Sequence, residues 1–344
     1  MKALVIGVTG QDGSLLADAL LRRGIEVEGT FRRGSSENFW RLLDLGILEQ
    51  IKLHIYNIGS GANIGEVLCK SQPELIFVVA GESFTELSYE EPRHYLDINT
   101  GGTIEILEAV KNFVPEAKVF ISSSSEIFGL QSPSVLVLNE DSIKNPINPY
   151  GISKLALTHF GRLYREKFGL NIFTGILFPH ESQYRSKEFV TRKIARGLVQ
   201  SSLHQATPMV LRGTDMKRDW GSALDYVDWM IDLLESGSPD EYVFASGINS
   251  SVREFLQLCL DSLEIEINEK VDPITNISTF VNIEDGRILM YSNPNLAMKN
   301  KITYPPGSKQ KLLKEIGERT NISLSSIASK MVRSEIVWLE KSKS

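Results

Sequence analysis

The chain has 344 residues, of which 42% are hydrophobic, with a formal net charge of −6 and a sequence pI of about 5.6. This acidic balance leaves no electrostatic footprint for nucleic-acid binding. No apolar run reaches the roughly 20 residues of a membrane span. With only Cys69 and Cys259, a disulfide framework is implausible and a reducing cytoplasm is expected. The histidines show no metal-ligand spacing.

Short apolar runs alternate with helical patterns through the first half of the chain. The apolar segment 1–8 is short and runs into a glycine turn, so it is predicted to be a strand and not a signal peptide. Strands are predicted at 3–6, 27–31, 52–56, 75–80, 118–122 and 172–177. Helices are predicted at 12–23, 101–113 and 149–168. This alternation predicts a doubly wound parallel α/β sheet.

Beyond about residue 175 the pattern becomes irregular. Helices are predicted at 188–200, 224–234 and 252–263. The stretch 268–306 is predicted to be polar and turn-rich, and 312–338 is predicted to be helical again. We interpret these segments as a smaller second domain at the C-terminal end.

The first predicted strand runs into Gly7, Gly10 and Gly13, which open the first helix. Glycines let the backbone turn tightly and approach the pyrophosphate of a dinucleotide, which lies on the helix N-terminus. The spacing is Gly-x-x-Gly-x-x-Gly, and a tight turn without a ligand is the alternative. The second strand ends in Arg32 and Arg33 with no acid to bind a ribose diol. Arginines suit a 2′-phosphate, so NADP is favoured; two solvated surface arginines are the alternative.

A tyrosine and a lysine four residues apart, Tyr150 and Lys154, share one face of a predicted helix. The ammonium favours the phenolate, which gives a base that works near neutral pH. Ser124 and Glu126 follow a predicted strand, at the edge where such sheets bind ligands. Taken singly, Glu126 is a surface residue and Tyr150 a packed aromatic. Together with a hydride-accepting dinucleotide, they indicate an oxidoreductase-type site that acts on a hydroxyl.

The chain resembles an extended short-chain dehydrogenase/reductase with a Rossmann fold, and specifically the GDP-mannose 4,6-dehydratase family. The matching segments are 7–14, 32–33, 124–126, 150–154, 175–178, 180–182, 185, 189–193, 217–220 and 251–255. Those at 11–12, 189–193 and 217–220 are specific to the dehydratase branch. The resemblance runs from residue 2 to about 260 and becomes weaker afterwards.

The resemblance implies a role for each matching residue. Ser124, Glu126, Tyr150 and Lys154 would be catalytic. NADP would be bound by Gly7, Thr9, Gly10, Gln11, Asp12, Gly13, Arg32, Arg33, Asn57, Ile58, Lys154, His180 and Arg185. The nucleotide sugar would be bound by Ser83, Ser124, Lys193 and Arg218, the last two at its diphosphate. A structural His180 and a solvated basic helix face around Lys193 are the alternatives.

The resemblance also implies a domain division. Residues 1–174 would form an NADP-binding Rossmann domain, to which segments at about 211–250 return. Residues 175–340 would form a mainly nucleotide-sugar-binding α/β domain. The chain would act as a homo-oligomer, either a dimer or a tetramer, without a metal, nucleic acid or membrane partner.

Several family positions differ in this chain. A family asparagine is Pro179, a glutamine is Glu82, and a tyrosine that reaches the nicotinamide ribose is His94. An aspartate–leucine pair is replaced by Asn57 and Ile58. The family's Arg-Pro-x-Glu segment has no clear counterpart. A changed substrate or a weakened activity is therefore one interpretation.

The leading hypothesis is a cytoplasmic nucleotide-sugar 4,6-dehydratase, a lyase that uses NADP. It would convert GDP-mannose or a related GDP-sugar to its 4-keto-6-deoxy form by internal hydride transfer. A related 4-keto-sugar reductase or epimerase is the enzymatic alternative. A non-catalytic dinucleotide-binding protein is the alternative from another class.

Overall fold

The computed structural model describes residues 1–33, 39–59, 64–204, 207–296 and 304–341. Contacts divide the chain into two compact units. The first comprises Met1–Pro179, Ala223–Gly247 and Gly307–Thr320, and the second comprises His180–Ser222, Ile248–Pro306 and Asn321–Ser344. A division by contacts does not test which ligand each part binds, so the predicted NADP-binding and nucleotide-sugar-binding domains stay a prediction.

The strands and helices are named in chain order. The strands are β1 (Lys2–Ile6), β2 (Glu26–Phe31), β3 (Lys52–Ile55), β4 (Leu75–Val78), β5 (Lys118–Ser124), β6 (Asn171–Leu177), β7 (His180–Glu181), β8 (Met209–Leu211), β9 (Lys217–Asp219), β10 (Gly221–Ser222), β11 (Glu241–Phe244), β12 (Asn249–Ser251), β13 (Ile267–Val271), β14 (Ser278–Asn282) and β15 (Ile288–Ser292). The α-helices are α1 (Gln11–Arg22), α2 (Trp40–Asp44), α3 (Ile64–Ser71), α4 (Pro92–Tyr95), α5 (Gly102–Phe113), α6 (Pro149–Phe168), α7 (Val190–His204), α8 (Ala223–Ser236), α9 (Val252–Ser262), α10 (Gln310–Ile316) and α11 (Leu324–Lys341).

The first unit is built on a seven-stranded sheet in the order β11-β6-β5-β4-β1-β2-β3. All neighbouring strands are parallel. Every residue of β4 is buried, as parallel sheets with two covered faces require. Strands β2 and β3 follow on one side of β1, whereas β4, β5 and β6 follow on its other side. Sheets of this kind bind ligands at the carboxyl ends of the strands where the order reverses, here β1 and β4. The predicted doubly wound parallel α/β sheet is confirmed.

The predicted elements of the first half agree with the structure. The six predicted strands are β1 to β6, with ends within two residues of the predicted ones. The three predicted helices there are α1, α5 and α6. The sequence analysis missed the seventh strand, β11. This strand begins with Glu241, whose side chain is buried and paired with Arg162 at 2.6 Å, so its start lacks the apolar character of a buried strand.

The second unit contains a four-stranded sheet in the order β13-β14-β15-β8. Strands β13, β14 and β15 are antiparallel neighbours, and β8 pairs in parallel with β15. The stretch 268–306 was predicted to be polar and turn-rich, and this prediction is wrong for the three antiparallel strands. Buried and partly exposed positions alternate along β14, and two of its three buried residues, Ser278 and Asn282, are polar. A one-sided strand with polar residues on its buried face has a weak apolar signal.

The three helices predicted at 188–200, 224–234 and 252–263 are α7, α8 and α9. The predicted helical stretch 312–338 is instead two helices, α10 and α11. Helix α10 ends at Gly317, which has φ +78°, a conformation that favours glycine. Helix α11 begins at Leu324 and packs in the core of the second unit.

None of the described helices is long and apolar enough to cross a membrane. Within the described ranges, no group of three or more His, Cys, Asp or Glu residues is arranged to hold a metal ion.

Candidate active site

The glycine turn between β1 and α1 leaves no space for side chains. Gly7 has φ +97°, and a Cβ there would lie 2.8 Å from the backbone of Ala80, just beyond β4. A Cβ on Gly13 would lie 2.1 Å from the Gly7 carbonyl oxygen. Helix α1 begins after Gly10, which offers no side-chain cap. The backbone N–H groups of the first helical turn therefore form the kind of anion site that a pyrophosphate fits.

A buried arginine that the sequence analysis missed supports this turn. Arg41, on α2, is 7% exposed. Its Nη1 donates to the Thr9 carbonyl oxygen at 3.0 Å, and its guanidinium lies over the Trp40 ring, 4.6 Å from the ring centroid. A fixed positive charge beside the turn favours an anionic ligand there. The residue stands outside any motif, so only its proximity in the fold identifies it.

Lys154 lies in the interior of the first unit. Its side chain is buried, and Nζ donates to the Ser122 carbonyl oxygen at 2.8 Å. Burial lowers the pKa of Lys154 to about 8, and the negative charge of Asp12 opposes this shift. The Lys154 ammonium is therefore still charged at neutral pH, and the Asp12 carboxylate in the first turn of α1 stabilises this charge.

Tyr150 lies in the first turn of α6 and is 8% exposed. The Lys154 Nζ is 5.9 Å from its ring centroid, as expected for neighbours on one helix face. A second tyrosine, Tyr95, packs edge-on against it with ring centroids 6.3 Å apart. Tyr95 donates to the Phe84 carbonyl oxygen at 2.6 Å, and burial raises the pKa of Tyr95 to about 12. Tyr95 therefore keeps its proton at neutral pH and is not a candidate base.

Ser124 and Glu126 lie where β5 ends. The Ser124 Oγ accepts a hydrogen bond from the Glu126 backbone N–H at 3.2 Å. The Glu126 Oε2 accepts from Nδ2 of Asn148 at 2.8 Å, and Asn148 in turn caps α6. The predicted catalytic residues are thus joined through the end of β5 and the start of α6. Their roles in catalysis stay a prediction.

Asn99 is a further residue that the sequence analysis missed. It is 1% exposed and lies in a π-helical turn, Leu96–Gly101, a geometry that recurs at functional sites. Its Nδ2 donates to the Ser153 Oγ at 3.0 Å and to the Glu82 carbonyl oxygen at 3.1 Å, while its Oδ1 accepts from the Glu82 N–H at 3.0 Å. Asn99 therefore fixes the segment after β4 against α6.

Three residues singled out in the sequence analysis meet near the end of β2. The Arg32 Nη1 lies 3.9 Å from the Glu82 Oε1, and the His94 Nε2 lies 3.6 Å from the same oxygen. Arg32 is 67% exposed, so this contact is weak. Two departures from the family pattern, Glu82 and His94, are therefore neighbours of an arginine predicted to bind the cofactor.

The remaining predicted residues of this unit have simpler surroundings. The Arg33 backbone N–H donates to the Asn57 Oδ1 at 2.9 Å, which ties the ends of β2 and β3 together. Ile58 packs against α5, because a Cβ on Gly102 would lie 2.3 Å from its Cγ1. Ser83 is exposed just beyond β4.

In the second unit, His180 is buried on β7, where it pairs with Gly221 of β10. The Arg185 Nε lies 3.4 Å from the Glu181 Oε2, and its guanidinium stacks on the Phe189 ring, 3.6 Å from the centroid. The ion pair and the stacking hold the Arg185 side chain in one orientation. Neither residue is a solvated side chain.

The basic residues on α7 and β9 differ in their surroundings. Lys193 is exposed, whereas the adjacent Arg192 is buried against Glu335 and lies over the Trp338 ring. Lys193 is therefore exposed and Arg192 is not, and the role of Lys193 at the diphosphate stays a prediction. On β9, the guanidinium of Arg218 lies over the Tyr304 ring, 4.7 Å from the centroid.

The fold is shared with solved structures of dinucleotide-bound proteins. RMD from Pseudomonas aeruginosa, complexed with NADPH, matches with a TM-score of 0.74 and 19% identity, over 98% of this chain and 99% of that one. The dTDP-glucose 4,6-dehydratase from Bacillus anthracis, in complex with NAD, matches with a TM-score of 0.75 and 17% identity, over 99% of this chain and 97% of that one. These likenesses show that the chain has the fold of nicotinamide-dinucleotide-bound proteins of known structure.

The sequence comparisons identify the family. A family model described as GDP-mannose 4,6 dehydratase matches residues 4–331, well past the residue 260 to which the resemblance was expected to extend. The GDP-mannose 4,6-dehydratase of Vibrio cholerae serotype O1 is 31% identical over 349 residues, which cover 97% of this chain and 93% of that protein. This chain belongs to the GDP-mannose 4,6-dehydratase family.

Proposed function

We propose that this protein is a nucleotide-sugar 4,6-dehydratase, a hydro-lyase that converts GDP-mannose or a related GDP-sugar to its 4-keto-6-deoxy form. One observation carries the proposal: in a chain of this family, the end of β5 that bears Ser124 and Glu126 is hydrogen-bonded to α6, which bears Tyr150 and Lys154. The cytoplasmic location and the homo-oligomer predicted from the sequence stay predictions.

A nicotinamide dinucleotide fits the glycine turn, because Gly7, Gly10 and Gly13 carry no side chain there and the first turn of α1 can receive the pyrophosphate. Residues Gly7 to Gly13 and Lys154 would hold it, with His180 and Arg185 as further contacts. When bound, it would take a hydride from the fourth carbon of the sugar and return it to the sixth. The bound structures named above contain NADPH in one case and NAD in the other, so the class does not decide between the two cofactors.

The side chains supply the proton transfers. Ser124 would donate a hydrogen bond to the 4-oxygen, and Tyr150, as phenolate beside the Lys154 ammonium, would take the proton of the 4-hydroxyl. The resulting ketone makes the proton on the fifth carbon acidic. Glu126 would take this proton and give it to the 6-hydroxyl, which leaves as water. Ser83 would contribute to sugar binding. Lys193 and Arg218 would bind the diphosphate, whose anionic oxygens suit cationic side chains.

The decisive experiment is incubation of purified protein with GDP-mannose and a panel of other nucleotide sugars, without added reductant. We expect a ketone product lighter than its substrate by one water, detected by mass spectrometry. A product of unchanged mass would indicate an epimerase instead. Turnover only of 4-keto sugars with added NADPH would indicate a reductase. Cofactor binding without any turnover would indicate the non-catalytic alternative.

The cofactor preference is a separate expected outcome. Arg32→Ala combined with Arg33→Ala should weaken NADP binding about 10- to 100-fold, because charge-assisted contacts to a 2′-phosphate are lost. NAD binding should remain nearly unchanged. Both dissociation constants are measurable by titration calorimetry. Equal losses for both cofactors would show that these arginines do not bind the 2′-phosphate.

A second variant tests the role of Arg32 by removing the negative charge next to it. Glu82→Gln removes the negative charge 3.9 Å from Arg32, so NADP affinity should rise by a few-fold, the size of a weak surface ion pair. The control is Glu86→Gln, an exposed glutamate of the same segment, for which NADP affinity should stay at the wild-type value.

A further inference from the structure

Asn148 joins the glutamate of the site to the start of the catalytic helix. It is 4% exposed and is the N-cap residue of α6. Its Oδ1 accepts from the Gly151 N–H at 2.7 Å, and its Nδ2 donates to the Glu126 Oε2 at 2.8 Å. One side chain therefore holds both the helix that carries Tyr150 and the carboxylate that follows β5.

The orientation of this amide follows from its partners. The backbone N–H of Gly151 can only donate, so it must face the amide oxygen. The amide nitrogen then faces Glu126, and it too can only donate. A proton on the Glu126 Oε2 would point at the Asn148 Nδ2–H group, so that two donors would face each other without an acceptor. Oε2 therefore acts as an acceptor, and Oε1 is the oxygen that can take up a proton without breaking the contact.

The backbone around Glu126 is also fixed. Its N–H donates to the Ser124 Oγ at 3.2 Å. A Cβ on Gly151 would lie 2.6 Å from the Glu126 carbonyl oxygen, so the helix start packs closely against the glutamate backbone. With the backbone held in place, the Asn148 hydrogen bond sets the direction of the carboxylate.

We propose that Asn148 is a positioning residue for the elimination step, and that it reserves the Glu126 Oε1 for the transferred proton. This inference rests on the proposed dehydratase function. In that step Oε1 takes the proton from the fifth carbon, and the C–H electron pair forms the double bond to the sixth carbon. The bond from the sixth carbon to its oxygen breaks, and the hydroxyl leaves as water with the proton from Oε1. Glu126 is thereby restored to a carboxylate, and atoms and charge balance.

Two substitutions separate this role from helix capping. Asn148→Ser and Asn148→Asp both keep an oxygen that caps α6, because serine and aspartate are as favourable as asparagine at this position. Serine removes the Nδ2 group that donates to Glu126 and leaves one shorter hydroxyl that caps the helix, and aspartate replaces Nδ2 by a second negative charge. Urea unfolding should therefore show a stability near wild type for Asn148→Ser and a lower one for Asn148→Asp, in which two carboxylates face each other. Asn139→Asp, an isosteric charge change on an exposed loop, is the control for added charge.

The readout is a single turnover with nucleotide sugar, which follows the reduced nicotinamide by absorbance and the ketone product by mass. Reduction should proceed at the wild-type rate in both variants, since it depends on Tyr150. Elimination should slow about 10- to 100-fold in Asn148→Ser, the factor expected for a lost hydrogen bond to a charged group. It should slow further in Asn148→Asp, so that reduced nicotinamide accumulates. The Asn139→Asp control should behave as wild type.

Two results would overturn the inference alone, with wild-type protein still forming the ketone. One is elimination at the wild-type rate in both variants, which would show that Asn148 only caps α6 and does not position Glu126. The other is an equal slowing of reduction and elimination, which would show a general distortion of the site. Wild-type protein that forms no ketone product from any nucleotide sugar would overturn the proposed function and this inference together.

Discussion

Tyr150→Phe should lower turnover at least about 100-fold, within the 10²–10⁴-fold range of acid–base groups, and leave cofactor binding unchanged. The substitution keeps the ring, which packs edge-on against Tyr95 in the interior, and removes only the hydroxyl. Without it the proposed base for the sugar 4-hydroxyl is lost. Turnover with nucleotide sugar and the dissociation constant of the cofactor are the two measurements.

The matched control is Tyr164→Phe, the same chemical change on the same helix. The Tyr164 hydroxyl donates to Glu108, so its removal costs a hydrogen bond of about 1 kcal/mol in stability but no proton transfer. Turnover should stay near the wild-type value. If Tyr150→Phe kept more than about a tenth of the wild-type rate, outside the range for a general base, the assignment of Tyr150 would be wrong.

The parallel sheet could be predicted because its strands are buried on both faces and therefore appear as continuous apolar runs. The missed elements lack this feature. Strand β11 begins with a buried glutamate that is neutralised by Arg162, a partner far away in the sequence. In β14 the buried positions include serine and asparagine, so the pattern of one buried face is hidden. Both failures have the same cause, since tertiary partners decide the burial of these polar residues.

Some residues of the candidate site could also be predicted from the sequence, whereas others could not. Tyr150 and Lys154 could be selected from local periodicity alone, and the glycine turn from its place between a strand and a helix. Asn99 contacts Ser153 across 54 residues, and Glu126 contacts Asn148 across 22. No local pattern marks these contacts, since Asn99 lies inside a helical segment and Asn148 is an ordinary N-cap residue. Which polar residues support the site is therefore known only once the chain is folded.

Glu126→Gln should separate dehydration from simple oxidoreduction. An amide at this position can still accept from the Asn148 Nδ2, as the carboxylate does at 2.8 Å, so we expect the variant to fold and to bind cofactor. It cannot take up the proton of the fifth carbon or deliver one to the 6-hydroxyl. With substrate it should form reduced nicotinamide, visible by absorbance, and then stall before elimination. Glu116→Gln, an exposed glutamate before β5, is the control and should turn over normally.

Heavy water adds an independent measurement of the same step. When the hydride returns to the sixth carbon, the fifth carbon must take up a new proton from a group that exchanges with solvent, because its original proton has left with the water. The wild-type product should therefore carry deuterium at the fifth carbon. The hydrogen that moves from the fourth carbon to the sixth should remain unexchanged, since it never passes through a titratable side chain. Mass spectrometry and NMR of the product distinguish the two positions. Full turnover by Glu126→Gln, or product without deuterium at the fifth carbon, would contradict the proposed elimination. Either result would place a reductase or an epimerase ahead of the dehydratase.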